Sequence, residues 1–115
     1  MTKIISTKNA FHYIWGNNCD GYVLKKDGHF SVISEKMPPN TSEKKHLHKA
    51  TEQFFYCLEG NLTIECENEE HVLSAHDGYF IASGIPHNVK NNSKMTTRFL
   101  VISSSNTQDD RIDLE

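Results

Sequence analysis

Nowhere in this chain do apolar residues recur at helical spacing for more than one turn. Short runs rich in aromatic and β-branched residues take their place, and Gly, Pro, Asn and Asp interrupt them every few positions. Leu62-Thr63-Ile64-Glu65-Cys66-Glu67 alternates strictly, as a strand with one buried face does. Runs at residues 11–15, 22–24, 30–34, 53–58, 71–73, 79–82, 87–89 and 96–102 also read as strands. Residues 16–21, 27–28, 38–40, 59–61, 68–70 and 83–86 carry turn chemistry between them. Many short strands at close intervals predict an all-β sandwich or barrel, with an irregular arm at 1–9 and a polar tail at 103–115. In 53–58 both parities are apolar, which predicts burial on both faces, the outer one against another sheet or a second copy.

The length of 115 residues fits one domain, 1–115. A chain of this size buries roughly two-thirds of its unfolded surface and needs no staples. A net charge of −3 offers no electrostatic footprint for nucleic acid or for an anionic membrane. No apolar run approaches the ~18 residues of a membrane-spanning helix, and the first fifteen residues lack the apolar centre of a signal peptide. Cys19, Cys57 and Cys66 are odd in number and form no close pair, which predicts reduced thiols in a cytoplasm.

The chemistry concentrates at His46-Leu47-His48. On extended backbone these two imidazoles point the same way. Glu52 and Gln53 follow within a few residues, and Gly84-Ile85-Pro86-His87 supplies a third imidazole far downstream. Three histidines and an oxygen donor make most of a transition-metal shell. Counting forward from His48, either Glu52 or Gln53 could be that donor. The two lie on opposite faces of an extended strand, so at most one of them can join the histidines.

Residues 40–60 resemble the first motif of the cupins: Gly, five residues, His-x-His, three or four residues, Glu, six residues, Gly. Residues 76–91 are similar to the second: Gly, five residues, Pro-x-Gly, two residues, His, three residues, Asn. His46, His48, Gly60, Gly84, His87 and Asn91 fall on these patterns. Asn40 and His76 stand where glycines are expected, Ala82 replaces the proline, and Gln53 replaces the glutamate, since the motif's six residues counted back from Gly60 select it over Glu52 and a turn fixes register. The resemblance, from about 22 to 103, implies an antiparallel jelly-roll barrel, the double-stranded β-helix. It implies one divalent transition metal, Zn, Ni, Fe, Co or Mn, on His46, His48, Gln53 and His87.

With three imidazoles and an amide, the ion keeps its full charge, which favours Lewis-acid chemistry on an anionic oxygen. A three-histidine, one-glutamine set is similar to that of cupins that open unsaturated uronate sugars. The expected function is therefore a small enzyme acting without redox change on an oxygen-rich organic acid or sugar. The alternatives are an Fe(II) dioxygenase and a non-catalytic module that binds a small molecule in the barrel.

Tyr22, Glu35 and Lys44 are the candidates for proton transfer, with no basis to choose among them. Phe55 and Phe99 are expected to line the pocket. Cys57 is expected to be a small core residue, Arg98 a solvated strand-edge residue, and Arg111 to have no role. His12, His29, His71 and His76 are expected at surfaces or turns. The apolar outer parity of 53–58, with the aromatic segment 11–15, predicts a homodimer.

Overall fold

The computed structural model describes residues 3–104 and 110–115. They contain twelve strands: β1 (Phe11–Trp15), β2 (Cys19–Lys26), β3 (Phe30–Met37), β4 (Thr41–Ser42), β5 (His46–His48), β6 (Gln53–Glu59), β7 (Leu62–Cys66), β8 (Glu69–Leu73), β9 (Gly78–Ile81), β10 (His87–Asn91), β11 (Thr97–Ser104) and β12 (Arg111–Asp113). One antiparallel sheet runs β1-β2-β3-β11-β6-β9, and the other runs β12-β5-β10-β7-β8 with β4 also on β10. Together they form the jelly-roll barrel. Among the described residues no helix is long and apolar enough to cross a membrane.

Strand pairing fixes which side chains point inward, because directly opposed residues share a face. On the first sheet Phe99 lies opposite Glu35 and Cys57, Val101 opposite Ile33 and Phe55, and Ser103 opposite Ser31 and Gln53. On the second, His87 lies opposite His46 and Cys66, and Val89 opposite Ile64. Phe55, Cys57, Leu62, Ile64, Val89 and Phe99 pack between the sheets as the core. Burying each of the larger apolar side chains contributes roughly 1.5–3 kcal/mol.

Gly60 sets the β6–β7 register. Its φ is +80°, and a Cβ there would lie 2.7 Å from the Thr96 carbonyl oxygen. Asn40 and His76 also have positive φ, 58° and 76°, so these two positions keep the left-handed backbone that glycine adopts freely. Asn91 closes the end of β10: its amide donates to the carbonyls of Met37, Pro38 and Met95.

The structure departs from the sequence reading in several places. The turn between β7 and β8 is Glu67-Asn68, both with positive φ, so Glu69 and Glu70 belong to a strand and not to the turn. β2 begins at Cys19, inside the expected turn. In β6 only the inward parity is buried within the chain; Phe54 and Leu58 are 37% and 39% exposed, and Phe80 beside Phe54 is 55% exposed. The expected polar tail is also corrected. Residues 105–109 lie outside the described residues, but β12 pairs with the histidine strand β5 and Leu114 N–H donates to the Lys45 carbonyl at 2.8 Å.

Candidate metal centre

His46 and His48 leave β5 on one face, and His87 enters from the adjacent β10. Gly84 N–H donates to the His48 carbonyl at 2.6 Å, tying the loop before His87 to the first histidine strand. Ligand nitrogens of the three rings all lie within 4.8 Å of one another. The His46 and His87 ring centroids are 4.5 Å apart. Gln53, from the facing sheet, brings Oε1 to 3.2 Å from His87 Nε2. Glu52 is exposed and faces away, with its N–H donated to Ser104 Oγ. Of the two oxygen donors left open by spacing, Gln53 is the one brought to the histidines.

The hydrogen bonds decide the tautomers. Nδ1 of His46 is 2.9 Å from the Lys44 carbonyl, and Nδ1 of His87 is 2.9 Å from the Ile85 carbonyl. A carbonyl only accepts, so each Nδ1 carries the proton. Nδ1 of His48 faces the carboxylate of Asp110 at 3.0 Å, which requires the same tautomer. Each tautomer leaves Nε2 as the ring's ligand atom. The Gln53 amide donates its NH2 to Ser103 Oγ at 3.2 Å, which turns Oε1 toward His87 Nε2. This neutral nitrogen and oxygen set fits a divalent transition metal, and the three histidines could hold one.

Electrostatics agree with the tautomers. Burial pushes the His46 pKa down to about 4, against the Lys44 hydrogen bond and with help from Arg111, His87 and His48. Burial lowers His87 too, against its bond to Ile85. Both rings are thus neutral at pH 7 and free to donate to a metal.

Around the histidines lies a set of groups that the sequence reading partly missed. Tyr13 lies over Gly21, where a Cβ would sit 2.3 Å from the phenol ring, and its hydroxyl donates to Glu35 at 3.2 Å. Glu35 faces inward beside Phe99. Burial and the neighbouring Glu43 push its pKa up to about 8, against the Tyr13 hydrogen bond and the Arg111 charge. Glu43 stands 3.8 Å from His46 Nδ1 and 4.0 Å from Arg111 Nη1. Burial raises Glu43 to about 7, against Arg111 and the Val89 N–H it accepts.

The other candidates separate cleanly. Tyr22 packs its ring, tilted, against His12 on the outer face, and Lys44 is exposed and lends its carbonyl to His46. Of the three proton-transfer candidates only Glu35 points into the barrel. Arg98 pairs with Glu59 at the surface, 3.0 Å away. Cys57 is a core thiol whose Sγ lies 3.5 Å from the Gly60 carbonyl. Phe55 and Phe99 do line the interior, with Phe55 6.0 Å from the His87 ring. Arg111, expected to have no role, lies opposite His48 on β12 and pairs with Asp113 at 2.9 Å. Only a short alternating stretch, Arg111-Ile112-Asp113, could have signalled that strand.

The Cupin domain family model matches residues 33–103, which span both histidine segments and most of the barrel. The chain is a cupin. It is 30% identical to quercetin 2,3-dioxygenase of Bacillus subtilis over 70 residues, 61% of this chain and 21% of that protein. It is 25% identical to the tetracenomycin polyketide synthase protein TcmJ of Streptomyces glaucescens over 63 residues, 55% of this chain and 42% of that one. The chain thus spans well under half the length of both curated relatives. Among solved structures it is similar to the polyketide cyclase RemF from Streptomyces resistomycificus, with a TM-score of 0.87 and 20% identity over 100% of this chain and 87% of that one. That likeness concerns the fold.

Proposed function

We propose that this cupin is a small metal-dependent enzyme acting on an oxygen-rich organic acid or sugar derivative without redox change. The observation that carries the reading is the neutral donor set: three imidazoles fixed as Nδ1–H tautomers, with an amide oxygen from Gln53 beside them. A divalent ion on His46, His48, Gln53 and His87 would supply an electrophile for a substrate oxygen, with no ligand charge to weaken it.

The rest of the barrel suits such a substrate. Glu35 is an inward-facing carboxyl that keeps its proton near neutral pH, and Tyr13 holds it in place. It is our candidate for moving a proton to or from the substrate. Phe55 and Phe99 make one wall apolar and exclude water there.

The test begins with elemental analysis of purified protein, where about one transition metal per chain is expected. His46→Ala and His87→Ala should lose it. Turnover of sugar acids and keto acids is then followed by NMR without oxygen. Product formed under argon supports the proposal. A second reading, an Fe(II) dioxygenase, is favoured by the 30% identity to quercetin 2,3-dioxygenase and requires oxygen uptake with iron. Tight binding without turnover under either gas would leave a binding module. Wild-type protein that stays metal-free after incubation with Zn, Ni, Fe and Mn would refute the site.

A further inference from the structure

The strand carrying His46 and His48 lies between β10 and β12. β12 is in register with it, Arg111 opposite His48 and Asp113 opposite His46. The two are also joined by Lys49 N–H to the Asp110 carbonyl at 3.0 Å. The centre of this junction is the Asp110 side chain. Oδ1 accepts from His48 Nδ1 at 3.0 Å, and Oδ2 accepts from Ala50 N–H at 3.1 Å and Thr51 N–H at 2.9 Å. Its side chain is 8% exposed.

The three histidines differ in how their protons are placed. His46 and His87 each donate to a carbonyl two residues earlier, so their own strands orient them. His48 is oriented by a side chain 62 positions away. Without an acceptor at Nδ1, a neutral imidazole can carry its proton on either nitrogen, and only the Nδ1–H form leaves Nε2 free.

We propose that Asp110 is a positioning residue for the metal centre: its carboxylate locks the His48 proton on Nδ1 and turns the Nε2 lone pair into the barrel, so that metal affinity depends on the docked segment 110–115. The inference rests on the metal reading given above. Loss of such an outer carboxylate weakens metal binding about 10–100-fold. Linkage makes the effect reciprocal: if the docked segment raises metal affinity, metal raises the stability of docking by the same factor.

The experiment compares the full-length wild type with Asp110→Ala and Asp110→Asn. Folding of each metal-free protein is checked by thermal unfolding. Zinc affinity is measured by calorimetry, and the histidine tautomers by long-range 1H–15N correlation. Wild type should show Nδ1–H at all three rings. Asp110→Ala should bind zinc about 10–100-fold more weakly, with mixed tautomers at His48 alone. Asp110→Asn keeps an acceptor oxygen without the charge and should fall between them; it also serves if the alanine variant does not fold.

Zinc should slow hydrogen exchange at Leu114 and Lys49, whose amides bond across the junction. A merely structural role for Asp110 would not move the His48 tautomer while leaving His46 and His87 unchanged. Zinc affinity equal to wild type in the folded variants, or unchanged Nδ1–H at His48, would overturn the assignment of Asp110 alone. Wild-type protein that takes up no zinc would instead overturn the metal reading.

Discussion

Replacing Glu35 with glutamine should change how the stability of the metal-free protein depends on pH. The carboxyl's pKa is raised from 4.5 to about 8, first by burial and then by Glu43. The folded state therefore binds a proton that the unfolded state releases between these values. The stability this confers is complete below about pH 4.5 and is lost as the pH rises through 8. Integrating the proton difference gives a loss of about 2 kcal/mol by pH 6 and about 4 kcal/mol by pH 8 for Glu35 alone.

Glu35→Gln keeps the size and an oxygen acceptor for the Tyr13 hydroxyl but cannot ionise. Wild type should lose about 2 kcal/mol more than the variant between pH 6 and pH 8, or about 8 °C in Tm for a domain of this size. Urea melts at pH 6, 7 and 8 in the presence of a chelator measure the difference. The histidines titrate in both proteins and drop out on subtraction, which leaves Glu35 together with its coupling to Glu43. Parallel pH profiles would mean that Glu35 is ionised in the barrel at neutral pH, and its role as a proton carrier would fail with them.

Gln53→Glu should hold metal at least as tightly as wild type but bind oxalate or a uronate more weakly, whereas Glu52→Ala should change neither; calorimetric titration decides, and metal loss in Glu52→Ala with retention in Gln53→Ala would reverse the choice of ligand. Acid should destabilise the metal-free protein as the pH falls from 6.5 toward about 4, because the unfolded chain protonates His46 more readily than the folded one does; urea melts of His46→Gln should lose part of that slope. Gly60→Ala should cost about 2 kcal/mol or more in a denaturant melt, since φ is +80° and the new Cβ meets the Thr96 carbonyl at 2.7 Å. The outer face carrying Phe54, Leu58 and Phe80 is expected to pair with a second copy; sedimentation showing a monomer at tens of micromolar, an order chosen for a stable interface, would remove that expectation.

That His46 and His48 share a face was legible from parity within a short strand, a local property, and the resemblance of 76–91 to the second cupin motif added His87. Gln53 was placed by Gly60, whose backbone cannot take another residue without strain. An all-β sandwich or barrel was legible from the alternation of 62–67 and the dense turn signals, and the resemblance to the cupins narrowed it to a jelly roll. What stayed hidden comes from pairings that no local pattern announces. Thr41 and Glu43 face inward on odd positions while His46 and His48 face inward on even ones, so the chain changes parity near Lys44 and the acidic neighbour could not be counted out. Tyr13 reaches Glu35 only because Gly21 leaves room for its ring. β12 is three residues long, polar at both ends and earns its place entirely from β5, so a reading by composition makes it tail.

The contacts that build the site span great lengths of chain: 62 positions from His48 to Asp110, 50 from Gln53 to Ser103, and 34 from Gln53 to His87. The first two need distant strands paired within one sheet, and Gln53 cannot meet His87 until the two sheets have closed on each other. Folds dominated by such distant pairings form slowly, on the order of milliseconds to seconds. An ion arriving early would find isolated imidazoles whose protons are free to occupy either nitrogen. Metal capture at full affinity is therefore a late event, and occupancy would serve as a chemical report that this barrel has finished folding.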